Sequence, residues 1–291
     1  MRFPHLAQRL FNVPIAITPD KAEVVMAALA DRFGVARLFR GNGELAALEV
    51  MAFDDEGYSS RRDAPRRGYD TVEGVALIPI EGTLVQKLGT LRPYSGMTGY
   101  DGIRQNLFEA LADPDVKAIV FDIDSPGGEV AGCFDLVDTI YNVRGEKPIW
   151  AVLDECAYSA AYAIASAADR ITVPRTGGSG SVGVICMHVD LTQALAKEGI
   201  SVRVIRYGAQ KAEGGPYESL ADEALGRIQA DINAMGELFV ETVARNRNLA
   251  ADVVRGQEAA TFRGELGVAQ GLADAVMAPD AAFQALLAEL G

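Results

Sequence analysis

The chain has 291 residues, 49% of them hydrophobic, which allows one large domain or two small ones around a sizeable core. Lysine and arginine total 27 against 40 aspartates and glutamates, a formal net charge of −13 that argues against broad contact with nucleic acid or with an anionic membrane face. Cys133, Cys156 and Cys186 have no metal-ligand spacing and suggest reduced thiols in a cytoplasmic setting. The amino terminus resembles no secretory leader, and no run of about 20 apolar residues occurs, so no membrane anchor is expected.

Taken in order, residues 19–33 read as an amphipathic helix and 35–53 as short strand-like pieces around Gly41 and Gly43. Residues 54–70 are charged and hold Pro65 and Gly68, the character of a linker. We therefore divide the chain into an N-terminal extension, 1–70, and a main domain, 71–291. From Val72 onward the pattern is regular. Strands are expected at 75–80, 117–123, 148–153, 171–173, 182–189 and 202–205. Helices are expected at 100–111, 130–141, after Ser159, at 191–197, 220–248 and 281–290. The apolar stripe of the helix at 220–248, from Leu225 through Ile232 to Val243, is expected to pack mostly on the sheet and in part on a neighbouring subunit. Alternating strands and helices give a mainly parallel sheet flanked by helices, with sites beyond the carboxyl ends of its strands. Three loops then fall in that place: 124–129, 155–159 and 207–216.

Ser159 stands where an apolar strand gives way to small, helix-forming residues. One reading is an N-cap serine. The other is a nucleophile at the positive end of a helix, with the Ala160 N–H available to an anion. The Ser125-Pro126-Gly127-Gly128 segment is either a plain turn or a second source of backbone N–H donors. Residues 178–183 match G-x-G-x-x-G, but the motif precedes a strand-like run rather than opening a helix, so a dinucleotide site is rejected. Lys211, in a glycine-rich loop, is either a surface lysine or a general base. A lysine serves as base only when neutral near pH 7, which requires its ordinary value of about 10.4 to fall to roughly 7–8. Of the two histidines, His5 and His188, only His188 lies within the regular pattern, and it is the alternative base.

Together these residues resemble the S49 peptidases, the family of signal peptide peptidases and phage head maturation proteases, over roughly residues 72–276. The motifs that carry the likeness are Ser125–Gly128, Tyr158-Ser159-Ala160-Ala161-Tyr162, Gly180-Ser181-Val182-Gly183-Val184, Gly208 to Lys211 and Gly267 to Val276. Ala160 and Ala161 stand where the family usually has two glycines. The resemblance implies a ClpP/crotonase-like α/β fold of repeated β-β-α units. It implies a Ser159–Lys211 dyad, with Ser181 orienting the lysine and Gly127 or Gly128 joining Ala160 in the oxyanion hole. It implies no metal and no cofactor, and a homo-oligomeric ring acting on protein substrates, here phage scaffold, portal or coat precursors. The chain as read ends at Gly291, before the scaffold sequence that follows the protease in some such proteins. Three alternatives stay open: a cytosolic signal-peptide-peptidase-like protease, a crotonase-type acyl-CoA enzyme, and a non-catalytic capsid-assembly protein.

Overall fold

The computed structural model describes residues 13–19, 21–22 and 67–291. Strand β1 (Ile15–Ile17) comes first, then β2 (Asp70–Val72), β3 (Val75–Val85), β4 (Met97–Gly99) and helix α1 (Tyr100–Ala112). Next are β5 (Ala118–Glu129), α2 (Cys133–Asn142), β6 (Ile149–Tyr158), α3 (Ala160–Ser166), β7 (Arg170–Val173) and β8 (Gly178–Gly180). The remainder holds α4 (Thr192–Lys197), a 3-10 turn at Ala209–Ala212, α5 (Asp222–Arg247), α6 (Ala251–Arg255), β9 (Thr261–Arg263), α7 (Glu265–Ala269), β10 (Ala275–Val276) and α8 (Pro279–Leu290).

The sheet runs β10-β7-β6-β5-β3-β2, parallel except where β2 turns back on β3. Alternation along its strands explains its two faces. Ile78, Ile80, Ile119, Phe121, Ile123, Ala151 and Leu153 point to one side and form the main core with α1, α2 and α3. Val75, Val120, Trp150 and Val152 point to the other, where Ala282 and Leu286 of α8 cover them. The register shifts after Glu81 on β3 and after Ile123 on β5, at about the same height. Above that level the strands acquire new neighbours: β4 joins β3, β8 joins β6, and β1 joins β5 antiparallel. This upper layer carries the site.

The structure departs from several expectations. Residues 124–129 are the end of strand β5, not a turn, because Ser125–Gly128 stays in the sheet beside β3 and β6. The strand expected at 182–189 is absent among the described residues: the strand there is Gly178–Gly180, and Ile185 makes a single bridge, to Ile15. Residues 202–205 have no strand partner, and Ile205 is 92% exposed. The stripe on α5 does not lie on the sheet. Instead Phe239, Val240 and Val243 at its carboxyl end pack against α2 and α3, and Phe239 meets Phe134 edge to face at 5.5 Å. Leu225 and Leu238, further up the helix, are exposed. Of the helix expected at 19–33, Pro19, Lys21 and Ala22 are helical, and Ala22 N–H donates to Thr18. The remainder of that helix, residues 35–66 and His5 lie outside the described residues.

Helix α3 is short, buried throughout and rich in alanine, so its position rests on its ends. Arg144 holds the carboxyl end. Its guanidinium donates to the carbonyls of Ala167 (2.7 Å), Ser166 (2.9 Å) and Ala168 (2.7 Å), and to that of Asn246 at the end of α5. Burial pulls its pKa down even though Asp169 opposes the shift. We expect Arg144→Ala to cost about 3 kcal/mol, because several helix-end carbonyls lose a charged donor at once. Denaturant unfolding of both proteins measures it, and an unchanged midpoint would remove Arg144 from this role.

Candidate active site

Ser159 is the hinge between β6 and α3. Its backbone sits at φ 54°, ψ −122°, a region that L residues other than glycine seldom occupy. Two hydrogen bonds hold it there: its N–H donates to Gly180 (2.8 Å), and its carbonyl accepts from Ala163 (2.9 Å). Its side chain makes no capping bond to the helix. The hydroxyl is directed instead at the Gly183 carbonyl, at a long 3.4 Å. The N-cap reading therefore does not account for this serine, whose strained turn aims the hydroxyl out of the helix.

The backbone around it is packed closely. Gly127 has φ +103°, and a Cβ there would lie 2.1 Å from the Ala16 carbonyl and 3.0 Å from Ser159 Cβ. A Cβ on Gly128 would strike the Leu84 carbonyl at 1.9 Å. These glycines serve close approach rather than flexibility. The Gly127 N–H is already taken, donating to Ser125 Oγ at 3.2 Å, while that hydroxyl donates to Gly82 at 2.6 Å. This leaves Gly128 as the better partner for Ala160 as a donor pair. Ser125, wholly buried, is a brace that sequence reasoning missed; its place beside Pro126 and the two glycines was the available signal.

Ser181 is buried two residues before Gly183, also at positive φ (56°), with its N–H on the Ala260 carbonyl. Lys211 has a different environment. It is exposed in the 3-10 turn, and the segment around it leaves Tyr207 fully open to solvent. Glu213 is paired with Arg227 of α5, with contacts of 3.0 and 2.5 Å. Among the described residues the Ser159 hydroxyl is directed at the Gly183 carbonyl and not at Lys211. His188 is half-buried in the segment before α4, near Asp190. Thus the structure brings Ser159, Ser181, Gly127, Gly128 and Ala160 together, while Lys211 stands exposed in its turn.

The thiols are poor competitors as nucleophiles. Burial pushes Cys133 up to about 12, and burial followed by the Asp124 carboxylate, 3.3 Å away, does the same to Cys156. Among the described residues no His/Cys/Asp/Glu group is arranged to hold a metal, and no helix is long and apolar enough to cross a membrane.

Residues 142–290, from the end of α2 through α8, match the family model described as Peptidase family S49. The chain belongs to peptidase family S49. It is 42% identical over 272 residues to the head-tail preconnector protein GP5 of Enterobacteria phage P21, covering 93% of this chain and 54% of that one. It is 39% identical over 275 residues to the capsid assembly protease C of Escherichia phage lambda, covering 93% and 62%. The chain thus spans little more than half the length of these relatives. Among solved structures, a point mutant of ClpP1 from Listeria monocytogenes aligns with 69% of the chain and 90% of its own, with a TM-score of 0.43 and 12% identity.

Strain at Ser159 has a measurable consequence. Ser159→Gly should raise stability by about 1 kcal/mol, since glycine occupies this region without penalty, whereas Ser159→Ala keeps the strain and should not. Thermal unfolding of the two variants decides it; equal shifts would mean the turn is unstrained.

Proposed function

We propose that this S49 peptidase is a serine endopeptidase whose substrates are the precursors of a phage head, scaffold, portal or coat protein. The observation that carries the reading is a serine in a strained strand–helix turn, uncapped, with two backbone donors beside it. Likeness to a capsid assembly protease and a head-tail preconnector protein supports the substrate class. Ser159 attacks the peptide carbonyl, and the N–H groups of Gly128 and Ala160 receive the oxyanion. Lys211 accepts the serine proton and returns it to the leaving amine, and Ser181 holds the lysine. Water then hydrolyses the acyl-enzyme.

Lys211 reaches Ser159 on assembly in this reading. The segment that carries it exposes Ile205 and Tyr207, and the first half of α5 exposes Leu225; a neighbouring copy in a closed ring would cover such a surface. The ring forms in the cytoplasm of the host or inside the assembling prohead.

Ser159→Ala should lower turnover of a co-expressed head precursor by several orders of magnitude, read by mass spectrometry of the products. Lys211→Ala should be as damaging, and Lys211→Arg should not rescue, because arginine cannot release its proton near neutrality. An active Lys211→Arg enzyme would transfer the role of base to His188. Mixing Ser159→Ala with Lys211→Ala protein should restore roughly a quarter of the activity if each site takes its lysine from a neighbour in a ring. No recovery would place both groups in one chain.

A further inference from the structure

Strand β1 lies in the cleft beside Ser159. It pairs antiparallel with the end of β5, Ile15 opposite Glu129, Ala16 opposite Gly128 and Ile17 opposite Gly127. On its other side Ile15 exchanges both backbone hydrogen bonds with Ile185, at 2.9 and 3.0 Å. Thr18 N–H donates to the Pro126 carbonyl at 3.1 Å. Antiparallel pairs alternate between bonded and non-bonded positions, so Ala16 and Gly128, two residues along from Thr18 and Pro126, form the next bonded pair. That aims the Ala16 carbonyl at the Gly128 N–H, one of the two donors assigned to the oxyanion. A methyl group added at Gly127 would touch both the Ala16 oxygen and Ser159 Cβ.

The side chains alternate accordingly. Ala16 faces the main core, while Ile15 and Ile17 pack with Val13, Ala22, Ile185 and Met187. With the cleft filled, Ser159 is only 1% exposed and cannot meet a second polypeptide. Beyond the strand the segment borders an acidic cavity. Lys21 lines a cavity of about 590 Å³ whose other charged residues are Glu81, Asp122, Asp124 and Asp154. Burial and then those carboxylates raise the Asp122 pKa, so a cation is favoured there.

We propose that residues 13–18 occupy the peptide-binding cleft of this protein as a substrate would, with the Ala16–Ile17 bond presented to Ser159, and that other polypeptides bind only when this strand leaves. The cleft is then a strand-addition site between Gly127–Glu129 and Ile185. It takes an extended chain with a small residue ahead of the presented bond and β-branched residues on either side. This rests on the reading of Ser159 as nucleophile only for the name of the bond; occupancy of the cleft is testable without catalysis.

The test uses the full chain carrying Ser159→Ala and a fluorescent peptide of sequence Val-Pro-Ile-Ala-Ile-Thr, followed by anisotropy. Ile15→Pro removes the N–H that donates to Ile185 and should tighten peptide binding about tenfold or more, since a cleft open in a tenth of molecules or fewer weakens apparent affinity by that factor. Lys21 is exposed, so Lys21→Glu leaves the core untouched; it should tighten binding in the same direction. Equal affinity in all three proteins would overturn the proposal. Independently, the Ile185 amide, which donates to Ile15, should be protected from hydrogen exchange in the parent and lose that protection in Ile15→Pro. Exchange within seconds in the parent would overturn it as well. Failure of the nucleophile reading looks different: a fluorophosphonate would then label no protein that retains Ser159, whatever the peptide does.

Discussion

Close approach of backbone to backbone is the constraint on which this structure depends. The main core under the site is built around α3, where Ala160, Ala161, Ala163 and Ala165 are fully buried. Side chains of this size let the helix come down onto the upper ends of β5 and β6. The glycines at 127, 128, 178 and 180 let the strands close around its first turn, and a Cβ at Gly178 would strike the Tyr158 hydroxyl at 2.1 Å. A cleft assembled this way presents main-chain donors and acceptors. It recognises an extended backbone first and side chains second.

A second strand–helix turn of the same shape uses glycine instead. Gly264, before α7, has φ 45° and ψ −118°, nearly the angles of Ser159. A Cβ there would meet the Arg175 carbonyl at 2.7 Å. At Ser159 the same geometry is imposed on a residue that resists it. The cost is offset by the bonds to Gly180 and Ala163 and by the buried alanines that follow.

Much of this was legible in the residues. The parallel strands, α1, α5 and α8 follow from apolar periodicity, and Ser159 and the Ser125–Gly128 segment stand out by their position at strand ends. Three features were not legible. Residues 124–129 look like a turn because proline and glycine dominate, yet they remain in the sheet where close packing calls for glycine. Residues 182–189 are apolar enough for a strand, but only Ile185 finds a partner, and that partner is Ile15, near the start of the chain. Strand β1 itself is three residues long, too short for a period to show. Its prolines at 14 and 19 mark its limits, but nothing local points to the cleft it enters.

The exposed lysine-bearing segment also bears on how such an enzyme is kept in check. If, as proposed, a neighbour supplies the catalytic base, activity depends on mass action: dilute chains would be inert, and the fraction of complete sites would climb steeply once protomers are gathered together. Confinement inside a closing shell would then be a second condition, beside departure of residues 13–18 from the cleft, and dispersal after the shell matures would switch the enzyme off again.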